Sequence, residues 1–218
     1  YITATLVDSQ VTFTSETNFN GSETFTVSVE DAEYTDSQII TVTVNAVNDA
    51  PVLEAVSDQN MNEGGTKVLL LSASDVDEDE LTYSITDGTN ILPSIDGSTV
   101  TFSVIDDDWN GSESFTATVE DAEYSESQTF TVTVDNVNDA PVLATVSDVL
   151  YDEDGTTTLD LSASDVDEDV LTFSILGGTY ITATLVDSQV TFTSETNFNG
   201  SETFTVSVED AEYTDSQI

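Results

Sequence analysis

The chain of 218 residues contains no cysteine and no histidine, and it has one basic side chain, Lys67, against 44 acidic ones. The first two absences remove disulfides, thiol chemistry and zinc sites built from His or Cys. The third removes the basic patch that nucleic acid or an anionic membrane surface requires, and with it the arginine clamps that hold phosphates. General acid–base chemistry is left to carboxylates and tyrosine. The sequence offers no nucleophile–base pair, glycine-rich phosphate loop or catalytic triad, so an enzyme is not expected. It also has no apolar run of about 18 residues and no signal peptide.

What is present is negative charge on an apolar framework. The formal net charge is −43, which makes close carboxylates repel and calls for a cation or a very salty solvent. Hydrophobic residues make up 38% of the chain and include ten Phe and seven Tyr, more apolar surface than an acidic disordered chain carries, so folded domains are expected.

The sequence repeats at two levels. Residues 1–39 recur letter for letter as residues 180–218. Within that period Asn48-Asp49-Ala50-Pro51 returns as Asn138-Asp139-Ala140-Pro141, and Ser72 to Asp79 returns as Ser162 to Asp169, a repeat of about 90 residues. Periodicity of this kind predicts a stacked array of modules. Within a module, apolar residues alternate with Thr and Ser at a period of two, as half-buried strands do. In the middle module seven strands, A to G in chain order, are predicted over residues 52–56, 66–73, 81–85, 90–93, 99–104, 114–120 and 128–134. Leu69 and Leu71 match Leu159 and Leu161 while Leu70 matches Asp160, so 69 and 71 should point inward and 70 outward. Phe115, Ala117 and Val119 form another inward row, and Phe130, Val132 and Val134 a further one. Seven short strands with turns between them predict an all-β chain of tandem seven-stranded β-sandwiches.

The predicted division is residues 1–49 as the later half of a module, 50–139 as a complete one, and 140–218 as one lacking its last strand. That division suits a window from a continuous array. It also suits chains that complete each other by strand exchange.

If the strands alternate in direction, acids that are far apart in sequence converge. Asp75, Asp77 and Asp79 in the B–C loop fall beside Asp121, which follows strand F, and beside the linker residues Asn48 and Asp49. Asp165, Asp167, Asp169 and Asp210 repeat that arrangement beside Asn138 and Asp139, with Glu63 of the preceding A–B loop and Asp106, Asp107 and Asp108 expected at the same junction. So many hard oxygen ligands suit Ca²⁺, which takes 6–8 oxygens, better than Mg²⁺. An EF-hand is excluded, because Glu80 or Val170 stands where its loop needs glycine, and Thr86 or Leu176 where it needs glutamate. The competing reading is a solvated acidic surface, and it is preferred for Glu33, Asp36 and Glu123.

The ordered set Val47-Asn48-Asp49-Ala50-Pro51, Glu63, Ala73-Ser74-Asp75-Val76-Asp77 and Leu81-Thr82-Tyr83-Ser84, with Val29-Glu30-Asp31 and its copies, resembles a cadherin repeat. Asn18-Phe19-Asn20-Gly21-Ser22-Glu23-Thr24-Phe25 brings it closer to the tandem cadherin-like repeats of large bacterial surface adhesins. The resemblance spans essentially the whole chain. It implies Greek-key sandwiches with Ca²⁺ at the junctions, held by Glu63, Asn138, Asp139, Asp165, Asp167 and Asp210, and at the earlier junction by Asn48, Asp49, Asp75, Asp77 and Asp121. Here the linker is one residue shorter than the cadherin pattern, and Ala46 or Asn136 replaces its first aspartate, which favours one or two ions over three. The function implied is that of calcium-rigidified extender repeats in an extracellular adhesin or surface fibre, with neighbouring repeats, or other copies of the chain, as partners. The alternatives are a filament subunit joined by strand exchange and a glycan-binding module using Trp109 and Tyr124. Trp109, Phe19 and Phe198 share one position before Asn-Gly, where packing is the preferred reading. Tyr34, Tyr124 and Tyr213 sit in the F–G turn.

Overall fold

The computed structural model describes residues 1–218, and every regular element in it is a strand. The chain divides into two compact units, residues 1–107 with 111–134, and residues 108–110 with 135–218.

The first unit begins with two antiparallel hairpins, β1 (Ile2–Val7) with β2 (Gln10–Ser15) and β3 (Gly21–Glu30) with β4 (Thr35–Val44). Their apolar residues face each other, with the Phe13 and Phe25 ring centroids 5.1 Å apart. A full sandwich follows: β5 (Val52–Leu53), β6 (Gln59–Asn62), β7 (Thr66–Leu70), β8 (Ala73–Ser74), β9 (Thr82–Ile85), β10 (Ile91–Asp96), β11 (Thr99–Val104), β12 (Gly111–Glu120) and β13 (Ser125–Asp135). One sheet runs β10-β11-β7 and the other β6-β13-β12-β9, while β5 pairs only with β8. Between the sheets lie the predicted inward rows. Phe115, Ala117 and Val119 are wholly buried, and Phe102 meets Phe115 and Phe130 at 5.1 and 6.1 Å. Leu71 is 3% exposed and Leu70 69%, as the comparison of repeats predicts. Truncating one of these phenylalanines to alanine should cost about 3–5 kcal/mol.

The second unit repeats the plan with β14 (Val142–Leu143), β15 (Thr156–Asp160), β16 (Ala163–Ser164), β17 (Thr172–Gly177), β18 (Ile181–Val186), β19 (Gln189–Ser194), β20 (Phe204–Glu209) and β21 (Thr214–Gln217). Its sheets are β15-β19-β18 and β17-β20-β21, around a core of Leu143, Leu161, Val190, Phe192, Val206 and Val208.

Three strands differ from their sequence-based expectation. The strand expected over 52–56 is ladder-paired only at Val52–Leu53. Beyond that, side chains of β13 replace the ladder: Glu126 accepts the Leu53 N–H and Gln128 the Val56 N–H, while Gln128 Nε2 donates to the Leu53 carbonyl. The strand expected over 66–73 breaks into β7 and β8 around Leu71 and Ser72. A further strand, β6, was not expected, because Gln59, Asn60 and Asn62 are polar and only Met61 turns inward. One apolar residue in four leaves no alternation to read.

Each sandwich carries a glutamate clamp. Glu113 on β12 accepts the N–H groups of Thr89, Asn90 and Ile91 at 2.9, 2.8 and 3.3 Å, together with Asn90 Nδ2 at 3.0 Å. Glu202 does the same for Thr179, Tyr180 and Ile181. Gly88 lets the β9–β10 loop approach the clamp. A Cβ there would collide with the Ile91 carbonyl and lie 2.9 Å from the Phe115 ring. Burial pushes the Glu113 carboxyl up, but the bonds donated by Asn90, Thr89 and Ile91 outweigh it and hold the pKa below the ordinary value. A depressed folded-state pKa gives stability that is complete above the unfolded value, about 4.3, and is lost as pH falls through the folded one. Glu113→Gln is therefore expected to lower stability by about 2 kcal/mol at neutral pH. It should also flatten the loss of stability below about pH 4.5, as read by urea denaturation at a series of pH values.

Candidate metal centre

The β8–β9 loop is built by its first aspartate. Asp75 Oδ1 accepts the N–H groups of Asp77 and Asp79 at 2.8 and 3.4 Å, and the chain turns through Glu78 with a left-handed φ of 63°. Such side-chain to main-chain bonds are what Asp supplies in turns. At the end of β12, Asp121 Oδ1 closes a second turn by accepting the N–H groups of Glu123 and Tyr124, both at 2.6 Å.

The other carboxylate oxygens meet the linker. Asp121 Oδ2 accepts Asn48 Nδ2 at 3.1 Å, and Asp77 Oδ2 accepts the Asp49 N–H at 2.8 Å. The second unit reproduces every bond. Asp165 Oδ1 takes the N–H groups of Asp167 and Asp169, and Asp210 Oδ1 those of Glu212 and Tyr213. Asp210 Oδ2 accepts Asn138 Nδ2 at 3.0 Å, and Asp167 Oδ2 accepts the Asp139 N–H at 2.6 Å. One oxygen of Asp75, Asp121, Asp165 and Asp210 thus shapes a loop, while the other is left to the linker or the cluster.

At the centre stand Asp75 Oδ2 and Asp165 Oδ2, both buried and both without a hydrogen-bond partner. A buried carboxylate oxygen normally has one. Asp75, Asp77 and Asp79 bring oxygens within 4.8 Å of one another, as do Asp165, Asp167 and Asp169. The crowding marks Asp79: lost hydration, followed by the charges of Asp75, Asp77 and Asp121, raises its pKa above the ordinary carboxylate value. Asp121 moves the other way, lowered first by the Tyr124 N–H and then by that of Glu123, and Asp210 is lowered chiefly by the Tyr213 N–H. These two remain anionic within the cluster. An all-oxygen donor set with an orphaned buried carboxylate oxygen fits a hard divalent cation of the calcium type.

Of the residues singled out in the sequence, Asn48, Asp49, Asp75, Asp77, Asp79 and Asp121 come together in the first unit. Asn138, Asp139, Asp165, Asp167, Asp169 and Asp210 do so in the second. Glu63 belongs to the β6–β7 loop, next to Gly64, which approaches Asp107 of the β11–β12 loop. Missing from the sequence reading are the linker N–H of Asp49 and Asp139 as anchors for the loop aspartates. The Glu-Asp-Ala-Glu-Tyr turns, by contrast, carried a readable signal in their leading Asp.

The recurrent aromatic before Asn-Gly packs on a tyrosine at two of its three positions. Phe19 stacks on Tyr1 and Phe198 on Tyr180, each pair at 5.0 Å, and a Cβ at Gly200 would lie 3.0 Å from the Phe198 ring.

The bacterial Ig domain family matches residues 48–135 and 138–218. Among solved structures, mouse protocadherin-24 EC1-3 is similar over 100% of this chain and 85% of its own, with a TM-score of 0.56 and 15% identity. Human protocadherin-24 EC1-2 (form II) is similar over 78% of this chain and 93% of its own, with a TM-score of 0.51 and 16% identity. At such identities the likeness is one of fold. No curated protein matches in sequence. The chain belongs to the bacterial Ig domain family, with two tandem matches folded as cadherin-like β-sandwiches.

Proposed function

We propose that the chain is a segment of calcium-rigidified extender repeats from an extracellular adhesin or surface fibre, a structural and non-catalytic role. The observation that carries this reading is the recurrence, in both units, of a buried unpartnered oxygen on the first loop aspartate beside linker residues bonded to the same loops. Calcium is held in one set by Asn48, Asp49, Asp75, Asp77, Asp79 and Asp121, and in the other by Asn138, Asp139, Asp165, Asp167, Asp169 and Asp210. Glu63 joins the second set on the strength of the cadherin likeness. The modules run over residues 1–49, 50–139 and 140–218, with their neighbours in the array as their partners.

Ion binding neutralises the crowded carboxylates and fixes the linker to the sandwich that follows it. Without the ion, repulsion loosens both. Extracellular calcium sites commonly have Kd near 10⁻⁴–10⁻³ M, so such repeats would be stiff outside a cell and soft inside one.

At ion concentrations about 100 times Kd, each site adds about 2.7 kcal/mol. We expect about 10 mM Ca²⁺, about 100 times a Kd of 10⁻⁴ M, to raise the melting temperature by roughly 5–10 °C over excess EDTA at constant ionic strength. Asp165→Asn with Asp167→Asn should abolish the second unit's share. Equal stabilisation by molar NaCl and by Ca²⁺ would identify a halophilic surface instead. Asp79→Asn should raise the melting temperature in EDTA, by removing one repelling charge, and diminish the gain from Ca²⁺.

A further inference from the structure

Lys67 is the one basic side chain among 218 residues, and it stands on a sheet edge. Its strand, β7, ends the sheet β10-β11-β7 and is paired on one side only, to β11. The other side is open because the chain leaves β8 after Leu53 and joins β13 through β6, so that a groove of about 400 Å³ lies between residues 54–57 and 69–72. Such an edge offers unpaired main-chain groups to any strand that can lie beside it. The hazard is greatest here, because Val68-Leu69-Leu70-Leu71 is the longest aliphatic run in the chain, and Val68 and Leu70 are exposed.

Lys67 counters this hazard from the inner side. It is half-buried on the same row as Leu69, opposite Phe102 in the register, and it forms no ion pair with any of the acids. An unpaired ammonium does not stay in an apolar interior, so the stem lies along the core while the charge reaches water at the margin of the sandwich. A second strand laid against β7 would extend the sheet past that margin and strip the ammonium of its water without supplying a carboxylate. An inward-pointing charge is one of the devices by which edge strands resist such pairing.

The other repeat meets the same hazard differently. β15 is also an edge strand, in the order β15-β19-β18. It has Thr157, Thr158, Leu159 and Asp160 where β7 has Lys67, Val68, Leu69 and Leu70. There the lysine is gone, and an exposed aspartate breaks the aliphatic run. Each repeat thus carries one charge on this strand, and the lysine stands where the run is unbroken.

We propose that Lys67 is an edge guard, whose charge keeps β7 of one copy of the chain from pairing with β7 of another. Nothing in this role requires the metal centre.

The test substitutes Lys67→Thr, the residue that the other repeat has at this place. The 218-residue chain is then followed by light scattering and size exclusion in molar NaCl, which screens repulsion between copies. Removing the only lysine makes the chain more negative, so net charge alone predicts equal or better solubility. The edge guard predicts the opposite, a loss of monomer with time and concentration at an unchanged melting temperature. Lys67→Gln, which keeps much of the stem, should behave like Lys67→Thr, and Lys67→Glu, which restores a charge, should stay monomeric. Adding Leu70→Asp to Lys67→Thr should restore the monomer. Adding Leu92→Asp instead, on the opposite edge of the same sheet, should not. Neutral variants as monomeric as the parent, association that follows only a fall in melting temperature, or association that Leu70→Asp leaves intact overturns the proposal.

Discussion

Mutual repulsion among carboxylates is the constraint on which the rest of this structure depends. A sandwich could spread its acids over the surface, where water would screen them. Here the acids of the β8–β9 loop and of the turn after β12 converge on one end of the sandwich, and the equivalents in the second unit do the same. The loops tolerate this because the aspartate that opens each turn is divided in function. One oxygen of Asp75, Asp121, Asp165 or Asp210 is committed to main-chain N–H groups, which stabilise the anion and fix the turn. The other oxygen is left to the cluster, and for Asp75 and Asp165 it is buried there with no hydrogen-bond partner. The proposed cation resolves this arrangement, and the linker bonds of Asp49 and Asp139 explain how it would reach the chain between modules.

The sandwiches themselves rest on ordinary packing with an acidic accent. Phenylalanine and valine rows form the core, while carboxylates do structural work that other folds give to main-chain ladders. Glu113 and Glu202 gather the N–H groups of a loop that has no strand partner at that point, and Glu126 or Asp215 ties down the first strand. Placing anions on main-chain donors is one way for a chain with a single basic side chain to satisfy its carboxylates, since one lysine cannot pair with 44 acids.

The inward rows were legible because alternation at period two, read across two diverged repeats, separates Leu69 and Leu71 from Leu70. The convergence of Asp75 with Asp121 was legible from strand count alone, because antiparallel order decides which loops share an end. What the sequence hid was pairing that depends on tertiary context. Gln59–Asn62 forms a strand only because β13 lies beside it, and the same Gly-Ser-Glu-Thr is a strand at 21–24 and not at 200–203. The glutamate clamps were hidden for a related reason: among 44 acids, nothing local distinguishes Glu113 from its solvated neighbours.

The central claim is that these carboxylates form discrete ion sites and not a diffuse acidic coat. Isothermal titration of the whole chain with Ca²⁺, at physiological ionic strength and repeated with Mg²⁺, tests it directly. The account predicts saturable binding with at least one ion for each of the two clusters and a clear preference for Ca²⁺. Heats that never saturate, or that are the same for both cations, would contradict it.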